Sequence, residues 1–143
     1  MKIFLDANIL IAVLNKEYPL FTNAARIISL TENNKFKVYT SPLCLAIAFY
    51  FSGKKSGDAV ARKKIAIMSQ QLHICNTNAI AVSNTIQNNR ILDFEDGLQY
   101  YSAVDAGCKI IITEDTEDFY FADIEVINSE NFLKQYVYHL SKK

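Results

Sequence analysis

The chain has 143 residues, half of them hydrophobic, and its 15 basic side chains balance its 15 acidic ones. This composition predicts one globular domain over residues 1–143 and excludes a disordered tail or a strongly basic nucleic-acid coat. No run approaches the roughly 18 consecutive apolar residues of a membrane helix, and the apolar start is too short for a signal peptide. We therefore expect a cytoplasmic protein without a membrane segment.

The first eight residues predict a buried strand that ends on a carboxylate. Ile3-Phe4-Leu5 is too short for a helix and does not alternate with polar residues, which is typical of a strand buried on both faces of a parallel sheet. Asp6 then lies at the carboxyl end of that strand, where open α/β sheets bind ligands. The alternative is that Asp6 only caps a helix that starts near Asn8.

Strands and helices alternate along the rest of the chain. We predict further strands over 37–40, 72–74, 109–113 and 125–127, and helices over 8–14, 19–30, 42–51, 58–71, 78–88, 93–107 and 129–140. This alternation predicts an α/β fold with a parallel sheet. The segment 43–51 is apolar nearly all round, which predicts deep burial or a surface for a partner helix, and a turn follows over 52–57.

The densest basic cluster follows this apolar helix. It consists of Lys54, Lys55, Arg62, Lys63 and Lys64. A solvated helix face is one interpretation, and contact with a phosphate backbone is the functional alternative.

Acidic residues follow the second apolar strand and also open the helix before it. Asp93 is a good N-cap, and Glu95 and Asp96 suit the positive end of a helix dipole. Asp115 and Asp118 come directly after Ile110-Ile111-Ile112-Thr113. Asp93, Glu95 and Asp96 could therefore all be structural, and Asp118 could simply fix the loop after the strand.

If the two apolar strands are neighbours, Asp6, Asp96 and Asp115 converge on one pocket. Clustered acids without a nearby cation repel each other, and a hard divalent cation such as Mg²⁺ is their natural partner. The chemistry that this arrangement predicts is metal-assisted hydrolysis or phosphoryl transfer.

Four motifs in register along the chain resemble the PIN domain family. They are Leu5-Asp6-x-Asn8, Ser41-Pro42-Leu43, Asp93-Phe94-Glu95-Asp96 before Gln99-Tyr100-Tyr101, and Ile112-Thr113-x-Asp115-x-x-Asp118-Phe119. The branch that they resemble is the VapC-like toxins of bacterial toxin–antitoxin pairs.

The resemblance implies a Mg²⁺- or Mn²⁺-dependent ribonuclease with a three-layer, Rossmann-like α/β/α sandwich around a mostly parallel sheet of about five strands. Asp6, Asp96 and Asp115 would be the catalytic, metal-binding acids, and Asp118 a fourth ligand. Asn8 and Thr113 would orient the first strand's acid or the phosphate. Proteins of this branch usually form homodimers and are neutralised by a small antitoxin.

One position departs from the family pattern. The resemblance implies a glutamate in the third helix, where this chain has Ile47, and no acid occurs between Asn33 and Gly57. Loss of a metal ligand commonly costs ~10–100-fold in affinity or activity. Either Glu95, Glu114 or Asp118 supplies the missing charge, or the domain is degenerate and binds RNA or a protein without cutting.

Other classes of protein fit less well. A haloacid-dehalogenase-type phosphatase expects a second aspartate where this chain has Asn8. A protein-binding module would use the apolar helix 43–51 as its interface. A nucleotide-binding role lacks support because no glycine-rich loop follows the first strand. Cys44, Cys75 and Cys108 fit neither a disulfide framework nor a zinc site, and His73 and His139 are expected in structural roles.

Overall fold

The computed structural model describes residues 1–139. Its five strands are β1 (Lys2–Leu5), β2 (Lys37–Thr40), β3 (His73–Ile74), β4 (Ile110–Ile112) and β5 (Glu125–Ile127). Its α-helices are α1 (Ala7–Leu14), α2 (Leu20–Ser29), α3 (Pro42–Ser56), α4 (Asp58–Gln71), α5 (Ala79–Gln87), α6 (Phe94–Asp105) and α7 (Ser129–Phe132). Short 3-10 segments span Leu30–Glu32 and Thr116–Phe119.

The five strands form one sheet in the order β3-β2-β1-β4-β5, and every neighbouring pair is parallel. Ile3 of β1 lies opposite Val38 of β2 on one side and Ile110 of β4 on the other. Helices flank this sheet, so the predicted α/β fold with a parallel sheet of about five strands is confirmed. The chain moves outward from β1 through β2 and β3 and then returns to place β4 on the other side of β1. The carboxyl ends of β1 and β4 are therefore the switch point at which such sheets bind ligands.

The two central strands have the buried apolar side chains that the sequence predicts. Ile3, Phe4 and Leu5 of β1 are fully buried, as are Ile111 and Ile112 of β4. Because both faces are buried, the buried stretch of each strand contains only apolar side chains. The next polar residue comes after the strand has ended. The first polar residue beyond each strand therefore lies at the same edge of the sheet.

Helix α6 packs closely against α5 through Gly97. A Cβ atom added at this glycine would lie 2.4 Å from Cγ2 of Thr85 and 3.0 Å from Cγ2 of Ile91. A Cβ atom does not tolerate the first of these distances and is crowded at the second, so glycine allows this approach without a shift of Thr85. The close packing fixes the first turn of α6, which carries Asp96.

Two expectations about α3 are wrong. The helix continues through the predicted turn at 52–57 and ends at Gly57, where the positive φ of 86° suits glycine. Its apolar stretch is also not deeply buried, because only Cys44 and Ala48 of the 43–51 segment are buried and Tyr50 and Phe51 are 54% and 45% exposed. The helix packs on one face, and the alternative of a partner surface stays a prediction.

The C-terminal helix is also less regular than expected. α7 is short and continues as a π-helical segment over Leu133–Tyr138, and its predicted end at residue 140 lies outside the described residues. Within residues 1–139, no helix is both long enough and apolar enough to cross a membrane.

Candidate active site

Adjacent strands bring Asp6 beside the segment that follows β4. The backbone N–H of Asp6 donates to the carbonyl of Ile112 at 3.0 Å, which extends the pairing of the two strands by one step. The N–H of Thr113 in turn donates to the carbonyl of Ile127 in β5 at 3.0 Å. Asp6 is only 8% exposed and Thr113 is fully buried. The site therefore begins at the switch point of the sheet.

Both carboxylate oxygens of Asp6 accept hydrogen bonds. Oδ1 accepts from the N–H of Ala7 at 2.7 Å, so Asp6 does cap α1, as the alternative interpretation expects. Oδ2 accepts from the Thr113 hydroxyl at 2.8 Å. Each oxygen still has a free lone-pair direction, because a carboxylate offers about four acceptor sites. Capping therefore orients this carboxylate and leaves acceptor sites on both oxygens free for a ligand.

Asn8 links the two acid-bearing segments. Its Nδ2 donates to the Thr113 hydroxyl at 3.0 Å and to Oδ2 of Asp115 at 3.2 Å, while its Oδ1 accepts from the N–H of Glu114 at 3.2 Å. The Thr113 hydroxyl also accepts from the N–H of Asp115 at 3.1 Å. These bonds hold the Asp115 carboxylate beside the end of β1.

The first turn of α6 contributes the third acid. Asp93 is the N-cap, because its Oδ1 accepts from the N–H groups of Glu95 at 2.9 Å and Asp96 at 3.3 Å, so that interpretation is confirmed. Burial, and after it the carboxylates of Asp93, Asp6, Asp118 and Glu95 in that order, raise the pKa of Asp96 to about 7. Asp96 therefore lies within electrostatic reach of Asp6 and Asp118. Glu95 is exposed to solvent.

The electrostatics of Asp6 agree with this convergence. Burial raises the pKa of Asp6, hydrogen bonds from Thr113 and Ala7 act in the opposite direction, and the charges of Asp115 and Asp118 raise it again. The structure therefore brings Asp6, Asp96, Asp115 and Asp118 together, from three separate segments. Asp115 and Asp118 are the more exposed members of the group.

This donor set fits a hard divalent cation chemically. The four acids offer oxygen atoms, the ligands that Mg²⁺ and Mn²⁺ prefer, and none of them forms an ion pair in the part of the chain that the structure describes. The four acids do not form a closed ligand cage. Among residues 1–139, no three acidic, histidine or cysteine side chains lie close enough together to enclose an ion. Mg²⁺ commonly keeps several waters and takes only one or two carboxylates, so an open arrangement suits it.

Helix α3 borders the site with apolar side chains. Ser41 caps it by accepting from the N–H of Cys44 at 3.1 Å. Burial, and after it the charge of Asp6, raise the pKa of the Cys44 thiol to about 12, so this thiol lies within electrostatic reach of Asp6. Ile47 follows Cys44 by three residues and is half-buried on the same face. The position where the resemblance implies a glutamate therefore carries a side chain that cannot bind an ion.

The basic cluster lies elsewhere. Lys64 Nζ donates to the carbonyl of Leu14 at 2.9 Å, and Lys55 Nζ donates to the carbonyl of Asn15. These carbonyls are at the end of α1, about 12 Å along the helix axis from Asp6. Lys54 lies 4.6 Å from the ring centroid of Tyr50. Lys54, Arg62 and Lys63 are exposed, and none of these contacts reaches the acids.

Two contacts at the site have no clear signal in the sequence. The Tyr120 hydroxyl donates to the carbonyl of Arg90 and accepts from the N–H of Leu92 at 3.2 Å, which ties the loop before α6 to the segment after Asp118. Glu114, one of the acids considered as a replacement for the missing glutamate, instead accepts from the N–H of Ser129 at 3.1 Å. Nothing in the pattern distinguishes Tyr120 from the aromatic residues of the core.

Comparison with known proteins supports the same fold. Ribonuclease VapC1 of Aquifex aeolicus (strain VF5) is 27% identical over 143 aligned positions that cover 94% of this chain and 95% of that protein. The structure of VapBC2 from Rickettsia felis, bound to a DNA fragment from their promoter, matches with a TM-score of 0.69 and 19% identity over 90% of this chain and 98% of that chain. PAE2754 from Pyrobaculum aerophilum matches with a TM-score of 0.65 and 16% identity over 100% of this chain and 91% of that chain.

A model of the PIN domain matches residues 2–117, most of the chain. This range begins in β1 and includes Asp6, Asp96 and Asp115, whereas Asp118, β5 and α7 lie beyond it. The resemblance drawn from the motifs is confirmed, and the chain belongs to the PIN domain family.

Proposed function

We propose that this PIN domain is a divalent-metal-dependent endoribonuclease that hydrolyses RNA phosphodiester bonds. The observation that carries the proposal is a group of carboxylates at the switch point that form no ion pair within residues 1–139. The charges of Asp6 and Asp118 raise the pKa of Asp96 within this group. A bound Mg²⁺ or Mn²⁺ would orient and deprotonate a water molecule and offset charge on the leaving oxygen. Asp6, Asp96 and Asp115 would hold it, with Asp118 as a further ligand.

The chain's own groups would prepare this chemistry. Thr113 and the N–H of Ala7 fix the direction of the Asp6 carboxylate, and Asn8 fixes that of Asp115. Asp96 has a pKa of about 7 in the metal-free protein, so it would lose its proton near neutral pH and bind the cation as a carboxylate.

The direct test is cleavage of single-stranded RNA with Mn²⁺ or Mg²⁺ present and with both removed by chelation. We expect cleavage that needs the metal and that is lost in Asp6→Asn and Asp96→Asn. Asp105→Asn is the matched control, because Asp105 is an exposed acid on the same helix with no part in the site. Equal cleavage by Asp6→Asn and the wild type would contradict the proposal.

A degenerate PIN domain that binds RNA or a protein without cutting is the second candidate. Ile47 favours it, as does the lack of a closed ligand set among residues 1–139. Binding of RNA measured by fluorescence anisotropy, with no cleavage across several metals, would establish this second function in place of the first.

Under either function, the RNA-binding role predicted for Lys54, Lys55, Arg62 and Lys63 can be tested with two charge reversals. Arg62→Glu and Lys63→Glu should weaken RNA binding if the cluster contacts phosphates.

We also propose that the protein is the toxin of a toxin–antitoxin pair, acts in the cytoplasm and forms a homodimer. Its relatives include a VapC ribonuclease and VapBC assemblies, which supports a small protein as the neutralising partner. Expression alone should arrest growth, and co-expression of a small neighbouring reading frame should relieve the arrest. Light scattering should give twice the mass of 16.2 kDa. A protein that has no effect on growth would refute the toxin role, and a monomeric mass would refute the homodimer.

One surface offers a place for the antitoxin. A groove of about 310 Å³ between α1, α2 and α4 is mainly apolar and is lined by Val13, Leu14, Lys16, Phe21, Lys64, Ile67, Met68 and Gln71. Its two lysines favour a partner segment that combines apolar and acidic side chains. Ile67 is exposed, so Ile67→Asp should leave the fold intact and weaken neutralisation, and full neutralisation of this variant would exclude the groove.

A further inference from the structure

Gln99 in α6 has a buried carboxamide that the proposed chemistry does not yet use. Its side chain is 3% exposed, and its Oε1 has no hydrogen-bond donor among residues 1–139. Buried polar atoms in folded proteins are almost always paired with protein groups or ordered water. An unpaired oxygen of this kind therefore indicates a ligand or a water molecule at that position.

Helix geometry directs this side chain toward the acids. Gln99 follows Asp96 by three residues and precedes the fully buried Ala103 by four, so the three residues share one face of α6. Side chains on a helix lean toward the turn that precedes them. The carboxamide of Gln99 is therefore directed toward the turn of Asp96, whose pKa responds to Asp6 and Asp118.

Among residues 1–139, none of the other unpaired buried atoms shares a helix turn with Asp6, Asp96, Asp115 or Asp118. Asn15 Oδ1 and Ser52 Oγ lie near the end of α1, where Nδ2 of Asn15 donates to the carbonyl of Phe51 at 3.5 Å. Ser129 Oγ lies at the start of α7. A hydroxyl can also rotate to find a partner, whereas a carboxamide oxygen can only accept.

We propose that Gln99 is a further positioning residue of this site: its carboxamide oxygen holds a water molecule beside Asp96 and thereby strengthens the binding of a divalent cation by the acids. This inference rests on the proposed function. Gln99 does not touch the reacting atoms, so its effect is on affinity for the metal.

The test is a calorimetric titration of Mn²⁺ into wild type, Gln99→Met and Gln99→Glu. Methionine keeps the length of the side chain and removes the carboxamide, so we expect about tenfold weaker Mn²⁺ binding. Its melting temperature in EDTA should change little, because methionine fills nearly the same buried volume as glutamine. Glutamate places a carboxylate at the same position and should bind Mn²⁺ more tightly than the wild type does.

RNA cleavage gives a second readout. A positioning role predicts that Gln99→Met recovers wild-type cleavage when the Mn²⁺ concentration is raised about tenfold. The matched control is Gln87→Met, because Gln87 is exposed on α5 and hydrogen-bonds to Ser83, and it should change neither measurement.

The two proposals can fail separately. Unchanged Mn²⁺ affinity in both Gln99→Met and Gln99→Glu, with a wild type that binds the metal and cuts RNA, would overturn the role of Gln99 alone. A wild type that neither binds Mn²⁺ nor cuts RNA would overturn the nuclease proposal together with this inference.

Discussion

The most informative single change is Asp96→Asn, measured as stability in the absence of metal. Asp96 is half-buried at the start of α6, and burial together with neighbouring carboxylates raises its pKa to about 7 from an ordinary value of 3.8. Asparagine has nearly the same shape and cannot ionise. The substitution therefore removes the charge and leaves the packing of α6 in place.

The sign of the effect follows from where the protons bind. Between about pH 4 and pH 7 the folded protein keeps the Asp96 proton that the unfolded chain has lost, so its free energy of unfolding should fall as the pH rises through this range. Each pH unit is worth about 1.4 kcal/mol, which sets an upper limit of about 4 kcal/mol. Because Asp96 is partly open to solvent, which screens the charges, we expect about 1–3 kcal/mol.

Thermal unfolding in EDTA at pH 4 and pH 8 measures this difference. At pH 8 Asp96→Asn should melt about 3–9 °C above the wild type, at roughly 3 °C per kcal/mol for a domain of this size. At pH 4 the two proteins should melt within about 2 °C of each other, because this pH is close to the ordinary pKa of 3.8 and little of the pH-dependent difference has yet developed. The exposed Asp105→Asn should show no difference at either pH. A variant that is no more stable than the wild type at pH 8 would refute the proposed repulsion.

Four further predictions follow from single contacts. Thr113→Val keeps the shape of a fully buried side chain but removes the hydroxyl that donates to Asp6 at 2.8 Å, so it should lower both the free energy of unfolding, by about 1–3 kcal/mol, and RNA cleavage. Ile47→Glu should increase Mn²⁺ affinity by about tenfold in calorimetry, because it adds a carboxylate beside the site, and no increase would show that this position does not face the metal. Gly97→Ala should lower the melting temperature by several degrees at every pH, because its Cβ would lie 2.4 Å from Thr85. Cys44, whose burial raises its pKa to about 12, should react with iodoacetamide only when the protein is unfolded, and mass spectrometry of native and denatured samples checks this.

The sequence predicts the sheet well because its central strands have an unambiguous pattern. Ile3 to Leu5 and Ile110 to Ile112 are short, unbroken apolar runs, and both form central parallel strands. The extent of α3 could not be predicted in the same way. Lys54 and Lys55 resemble turn residues beside Gly53, but the helix continues because Lys55 caps a carbonyl at the end of α1 and Lys54 packs over Tyr50. The contact of Lys55 joins residues 40 positions apart, and local propensity does not contain it.

The candidate site, too, could be predicted from the sequence only in part. A parallel pair of strands must deliver Asp6 and the residues after Ile112 to the same edge, so their proximity was predictable from topology. The hydrogen bonds that orient them were not, because Asn8 reaches Thr113 and Asp115 only through the exact register of β1 and β4. The role of Tyr120 in joining the loop before α6 to the acidic segment after β4 depends likewise on tertiary contacts.

Repulsion between the acids connects the stability of this domain to its proposed chemistry. Ionisation of Asp96 in the metal-free protein lowers the free energy of unfolding. A divalent cation can restore this free energy, because it removes the same repulsion. Added Mn²⁺ should therefore raise the melting temperature of the wild type at pH 8 more than at pH 5, where protonated Asp96 binds metal poorly. Asp96→Asn should show a smaller rise at pH 8 than the wild type does. If Mn²⁺ stabilised both proteins equally at both pH values, its binding would not involve Asp96, and the site proposed at the switch point would be wrong.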